Sequence, residues 1–393
     1  MMTFNAHYDE LKGSYLFYHI EQKVKAFEAA HPDAHLLRLG VGDVSRPLCP
    51  AVIAAMHRAV DDQADAATFR GYMPECGAPF LQQAIARWYA AQQIELEPDE
   101  IFVTSGAADD LGALPDVFGT DVTVAVPEPT YPAYVDTNVM AGHRVMHLPA
   151  GQDEGFLPMP SARLAADVIY LCSPNNPTGA AYRRDQLQAW IDFANGCGAI
   201  ILFDAAYEAF ICDPDVPHSI YELPGAKTCA VEIGSLSKTA GFTGMRCGFT
   251  VVPRALRRGG HTLHELWVRD RTTKTNGVSY ITQRGAEAVF SPEGQREIGQ
   301  NLAVYRGNAR LLTDALDACG TWYCGGRNAP YVWARCPDGL DSWTFFDRLL
   351  EQAQIIATPG VGFGACGEGY IRFSSFGSPA DTAEAARRLT ALL

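Results

Sequence analysis

The chain has 393 residues, of which 48% are apolar and 19% charged, and its formal net charge is −14. That length supports a large core shared between two domains, and the acidic balance leaves no basic stripe to neutralise a nucleic-acid backbone. No apolar run reaches membrane-spanning length, the polar start Met1–Lys12 does not read as a signal peptide, and 11 cysteines without a Cys-x-x-Cys pair fit reduced thiols in a cytoplasmic protein rather than a disulfide frame or zinc site.

In chain order, the first 45 residues carry an amphipathic helix but no strand of a large sheet. His31 with His35, and His143 with His147, are spaced four apart. They lack the acid of a His-Glu-x-x-His zinc site, so they read as surface or loop histidines with no metal role. Helical patterns at 51–63 and 78–93 flank a loop containing Tyr72 and Glu75. Strands are expected at 101–104, 122–126, 168–172, 199–204, 229–233 and 248–252, with helices at 184–195 and 261–273 between or after them. This alternation predicts an α/β fold with a mostly parallel sheet covered on both faces. The cluster Arg254-Ala255-Leu256-Arg257-Arg258 reads as a solvated helix end. Beyond about residue 280 the pattern changes to a long helix at 292–318, a strand at 331–335, a helix at 342–354, a strand at 370–374 and a last helix at 379–392. The expected division is a large domain over 46–280 and a smaller α+β domain formed by 281–393 with the N-terminal arm 1–45.

One stretch of the large domain carries concentrated chemistry. Gly234-Ser235-Leu236-Ser237-Lys238 is followed, eight residues after the lysine, by Arg246. Lys238 supplies an amine that can join an aldehyde, while Ser235, Ser237 and Arg246 supply hydroxyls and a guanidinium for a phosphate. Pyridoxal 5′-phosphate needs both. Asp204 ends a buried strand, where a carboxylate can pair with a pyridine nitrogen and keep it protonated; taken alone it is equally a helix N-cap. Asn176 and Tyr207 can reach the ring's phenolic oxygen, although Asn176 by itself is a turn residue before Pro177. Ala107 and Ala108 follow a strand and open a helix, which suits backbone contacts to a phosphate or an ordinary cap. Tyr131 can stack on a flat ring or form a plain aromatic turn. Arg372 interrupts an apolar strand and needs an anionic partner, either a substrate carboxylate or a structural acid.

With these residues together, the chain resembles the fold-type I aminotransferases that use pyridoxal phosphate, and within them the LL-diaminopimelate aminotransferase family, over nearly its full length. The segments carrying the resemblance are Gly13-Ser14-Tyr15-Leu16-Phe17, Leu39-Gly40-Val41-Gly42-Asp43, Tyr131-Pro132-Ala133-Tyr134-Val135-Asp136, 172–181, 238–248, Asn328-Ala329-Pro330-Tyr331-Val332-Trp333 and the Thr358-Pro359-Gly360 to Gly364 run. The resemblance implies a homodimer with composite sites acting on an amino acid and a 2-oxo acid, here LL-diaminopimelate and 2-oxoglutarate, in the route to diaminopimelate and lysine. It implies that Lys238 is catalytic, and that Asn176, Asp204, Tyr207, Ser235, Ser237, Arg246, Tyr131, Ala107 and Ala108 hold the cofactor with Tyr72 of the partner. It further implies that Arg372, Tyr15 and Gly42 meet the substrate, with Glu75 and Asn276 supplied by the partner. Two segments depart from the family pattern. Thr104-Ser105-Gly106-Ala107-Ala108 stands where Ser-Asp-Gly-Ala-Lys is usual, and Gly71-Tyr72-Met73-Pro74-Glu75-Cys76-Gly77 where Gly-Tyr-Gly-x-Glu-Gln-Gly is usual. The same motif would equally serve a basic or aromatic amino-acid substrate, or a pyridoxal-phosphate oxidase or lyase, since lysine abstracts a Cα proton in all of them.

Overall fold

A computed structural model of the chain describes residues 2–11 and 16–393. Seven strands form the large sheet: β1 (Ile101–Thr104), β2 (Thr123–Glu128), β3 (Arg144–Pro149), β4 (Val168–Cys172), β5 (Ile200–Asp204), β6 (Ala230–Ser235) and β7 (Gly248–Val251). Their order is β1-β7-β6-β5-β4-β2-β3, parallel except for β7, which runs antiparallel to both its neighbours. The central strands β4 and β5 are buried along their whole length, as expected where helices cover both faces. Register then aligns the functional ends. Cys172 pairs with Asp204, Ser235 with Gly248, and Gly248 with Thr104. The C-terminal ends of β1, β4, β5 and β6 therefore open along one edge of the sheet, the edge where open α/β sheets place ligands.

A second sheet has the order β8-β9-β11-β10, built from β8 (Tyr323–Gly325), β9 (Tyr331–Arg335), β10 (Thr358–Pro359) and β11 (Tyr370–Ser374). Leu37–Arg38 pairs in parallel with Ile355–Ile356, which ties the N-terminal segment to this region. Two apolar cores result. The larger surrounds the seven-stranded sheet, and the smaller gathers Leu16, Ile20, Trp333, Phe346, Ile371 and Leu389. The 27-residue helix Pro292–Ala318 serves both. Ile298 and Leu302 pack in the larger core, Leu312 and Leu316 in the smaller.

Several expectations need correction. Arg257–Arg258 pairs with His261–Thr262 in a tight hairpin, so the basic cluster is not a helix end; the guanidinium of Arg258 donates to the carbonyls of Gly198 and Ala199. The helix expected at 342–354 is α-helical only over Ser342–Arg348, then widens into a π-helical turn at Leu349–Ala353 and stops at Gln354 in the left-handed region (φ 56°). His143 lies in a loop, as one half of the expectation has it, but not at the surface. It is buried, with Nδ1 hydrogen-bonded to Asn138 Oδ1 at 2.8 Å. The strand Arg144–Pro149 was missed because an edge strand with a half-polar face gives little apolar signal.

Candidate active site

A cavity of about 370 Å³ lies over this sheet edge. Its floor is Asp204, 5% exposed. One carboxylate oxygen accepts from the Tyr134 hydroxyl at 2.6 Å and the other from the Ala206 amide at 2.9 Å. Burial pushes the Asp204 carboxyl up from its ordinary range, while those two donors pull it back. Tyr131 lines the same cavity, edge-on to Tyr134 at 5.7 Å.

Ser235 ends β6 and caps the single helical turn Leu236–Thr239, its hydroxyl accepting from the Ser237 amide at 3.2 Å. That turn aims Lys238 into the cavity, where Nζ donates to the Gly42 carbonyl and lies 5.9 Å from the centre of the Phe376 ring. Burial lowers the Lys238 amine to about 8, helped by Arg372 and Arg246 and opposed by Asp43. Beside it, Arg246 adopts φ 58° and donates to the Thr243 carbonyl at 3.1 Å and weakly to Ser237 Oγ at 3.4 Å. The cup needs glycine at two places. A Cβ on Gly106 would sit 2.6 Å from Arg246 Nη2, and one on Gly248 would sit 3.0 Å from the Ala107 amide nitrogen. Ser235, Ser237, Arg246 and the start of the helix Ala107–Ala113, including Ala107 and Ala108, thus share one wall of the cavity. This donor set can hold a phosphate dianion.

The opposite wall carries Arg372, 1% exposed. Its guanidinium donates to Asn176 Oδ1 at 2.6 Å, the Gly40 carbonyl at 2.8 Å and, at 3.3 Å, Thr358 Oγ1; its buried Nε has no partner among the described residues. Tyr331 and Phe363 flank it, ring centres 4.4 and 4.9 Å away. All three acceptors are neutral, so the structural acid that would have explained a buried arginine is not among its contacts. Such a cation, partly paired and facing a cavity, can accept a carboxylate. Tyr207 is buried beside it, sharing a 2.9 Å hydrogen bond with Tyr331 through the two hydroxyls. Tyr331 also packs on Gly42, where a Cβ would come within 2.6 Å of its hydroxyl.

The other expected residues lie away from this cavity. Tyr72 is 89% exposed, and Asn276 is exposed too. Neither they nor Glu75 line the cavity of their own chain. The two loops touch each other: a Cβ on Gly277 would lie 2.8 Å from the Met73 carbonyl oxygen and 2.7 Å from that of Pro74. Tyr15 falls outside the described residues. The sequence reading gave no role to Tyr134 or Tyr331. Both sit in recognisable motifs, but their partners, Asp204 and Arg372, are distant in sequence.

Residues 34–389 match the family model described as aminotransferase class I and II. An LL-diaminopimelate aminotransferase of Lachnospira eligens is 48% identical, the match covering 100% of each chain. One of Bacteroides fragilis is also 48% identical, over 99% of each. The solved L,L-diaminopimelate aminotransferase of Chlamydomonas reinhardtii superposes with a TM-score of 0.93 at 39% identity, covering 98% of each chain. The chain therefore belongs to the class I and II aminotransferases, within the LL-diaminopimelate aminotransferase family.

Proposed function

We propose that this aminotransferase binds pyridoxal 5′-phosphate in the cavity and takes the amino group of LL-diaminopimelate, passing it to a 2-oxo acid such as 2-oxoglutarate. The observation that carries the reading is the joint placement of an amine lowered to about 8, a buried carboxylate and an arginine without a carboxylate partner around one cavity. The residues fit the cofactor. Ser235, Ser237, Arg246 and the amides at Ala107 and Ala108 would hold its phosphate, Asp204 its ring nitrogen, Asn176 and Tyr207 its phenolic oxygen, and Tyr131 one face. When bound, the cofactor supplies an aldehyde carbon to receive the amino group and a ring that spreads the charge left when the Cα proton departs.

The chain's own groups do the rest. Arg372, pre-aimed by Asn176 and Gly40, binds the α-carboxylate and fixes the Cα–H bond relative to Lys238. Lys238, with its proton affinity reduced by burial, would take the Cα proton as a neutral amine and return it to the aldehyde-derived carbon on the other side of the nitrogen. Tyr15 and Gly42 belong to the substrate side of the same reading. Tyr72 and Asn276 are exposed on the chain that bears them, Glu75 is half-buried, and none of the three lines that chain's own cavity, which supports their completing a second subunit's cavity in a homodimer. Eleven free thiols support a reducing, cytoplasmic setting. Steady-state kinetics with LL-diaminopimelate, its meso isomer, lysine, ornithine, glutamate and aromatic amino acids test the proposal. A kcat/KM for LL-diaminopimelate well above the others supports it. Preference for a basic or aromatic amino acid would overturn the substrate assignment and point to the altered segments at 104–108 and 73–76.

A further inference from the structure

Behind the cavity floor lies a buried polar chain that nothing in the mechanism above uses. The helix Ala133–Met140 carries Tyr134 and Asn138, and the turn after it carries His143. Asn138 Nδ2 donates to the Tyr134 carbonyl at 2.8 Å and to the Tyr170 hydroxyl at 3.0 Å, and His143 Nδ1 meets its Oδ1. The Tyr134 ring is stacked on Tyr170, centroids 4.9 Å apart and planes 24° from parallel. These contacts fix one thing at the cavity, the direction of the Tyr134 hydroxyl, which reaches Asp204 at 2.6 Å. That length is at the short end for O–H···O bonds and within the range taken by those with an ionised acceptor.

We propose that Tyr134 is a positioning residue: its hydroxyl holds the Asp204 carboxylate ionised and turned into the cavity, so that a proton shared with a ring nitrogen stays on the nitrogen. The inference rests on the cofactor reading given above. A donor to a carboxylate stabilises the anion and so lowers its proton affinity. With that donor the carboxylate is the weaker base of the pair, and the nitrogen keeps the proton and its electron-withdrawing power. Without it, an acid this deeply buried takes the proton and the ring loses that power. The titratable groups facing Asp204 are Tyr134 and, at the end of β4, Cys172. Burial holds both in their neutral forms, with the Asp204 charge adding to the effect. The Ala206 amide alone remains on the other oxygen.

Tyr134→Phe removes only the oxygen and keeps the ring on Tyr170, so the fold is retained. In cofactor-free protein labelled with ¹³C-aspartate, with Asp204 assigned through Asp204→Asn, the Asp204 carboxyl titrates at least about one pH unit higher in the variant. After loading with ¹⁵N-labelled pyridoxal phosphate, the ring-nitrogen resonance moves toward the unprotonated position. The value of kcat falls by about 10- to 100-fold, the loss expected for one hydrogen bond to a charged group, with KM for the amino donor within about twofold. An unshifted Asp204 titration, or a rate loss that accompanies a lowered unfolding temperature with the nitrogen resonance unmoved, overturns the proposal. Wild-type protein that takes up no pyridoxal phosphate would instead overturn the cofactor reading; the carboxyl titration needs no cofactor and still decides what Tyr134 does to Asp204.

Discussion

Two arginines of this chain are almost wholly buried, and they are treated in opposite ways. Arg271, on the helix Leu263–Lys274, grips Asp270 at 2.6 Å and approaches Asp109 at 3.5 Å, with its guanidinium 4.3 Å from the centre of the Trp267 ring. Arg372 also lies on rings, those of Tyr331 and Phe363, but its hydrogen bonds go to an amide oxygen, a carbonyl and a hydroxyl, and one buried N–H has no partner among the described residues. The first is a balanced charge that holds structure together. The second keeps electrostatic valence unspent, which costs stability and is retained where a ligand brings the missing anion. The same contrast extends to lysine. Lys274 makes ion pairs with Asp116 and Asp270, whereas Lys238 donates to a carbonyl and its burial lowers its proton affinity.

The largest effect that would break this contrast is at Lys238. Lys238→Ala should reduce turnover by on the order of 10²–10⁴-fold and remove the borohydride-reducible chromophore, with the unfolding temperature of the cofactor-free protein unchanged or raised. Unfolding as severe as that expected for Arg271→Ala would place Lys238 with the structural cations instead. Next come the two arginines as a pair. Arg271→Ala removes one of the two cations on buried Asp270, leaving Lys274 on the other oxygen, and should lower stability by about 1.5–3 kcal/mol in denaturant titrations. Arg372→Ala should cost about 2–5 kcal/mol in binding every amino-acid substrate, read from inhibitor or substrate Kd, while cofactor affinity holds. If the Arg372 variant instead loses cofactor and keeps its substrate Kd, the contrast fails.

A smaller effect is set by pH. Lys238 titrates near 8 in the folded chain and at about 10.5 when exposed. Below 8 the folded amine is charged at a desolvation cost; between those values the unfolded chain binds more protons than the folded one. Stability of the cofactor-free protein should therefore rise with pH from about 8 toward 10.5, and Lys238→Met should abolish that rise. Over the same midpoint, the rate of pyridoxal-phosphate uptake should increase roughly tenfold between pH 7 and pH 9, following the neutral amine. The smallest expected change is at Ala108, whose methyl lines the cavity where the family carries lysine. Ala108→Lys should alter kcat/KM for LL-diaminopimelate by roughly 1–3 kcal/mol in apparent free energy, upward if the distal end lacks a polar partner. An unchanged value would show that the departure at Ala108 is neutral for this substrate.

What the sequence determined was local. Ser235, Ser237 and Lys238 lie within one strand end and one helical turn, so their spacing alone brings hydroxyls and amine together. The strands at 168–172 and 101–104 were readable residue for residue because full burial makes them continuous apolar runs. The acid at the end of the next strand followed from the same pattern. Tertiary structure decided everything that joins distant segments. Arg372 and Asn176 meet across 196 residues, Tyr134 and Asp204 across 70, and Lys238 and Gly42 across 196. It also decided that Arg372 meets no acid among the described residues, that His143 is buried, and that Tyr72, Glu75 and Asn276 do not line the cavity of their own chain. A spacing pattern reports backbone periodicity over a few residues; sheet register and the packing of two cores set which side chains end up within 3 Å, and those depend on the whole chain at once.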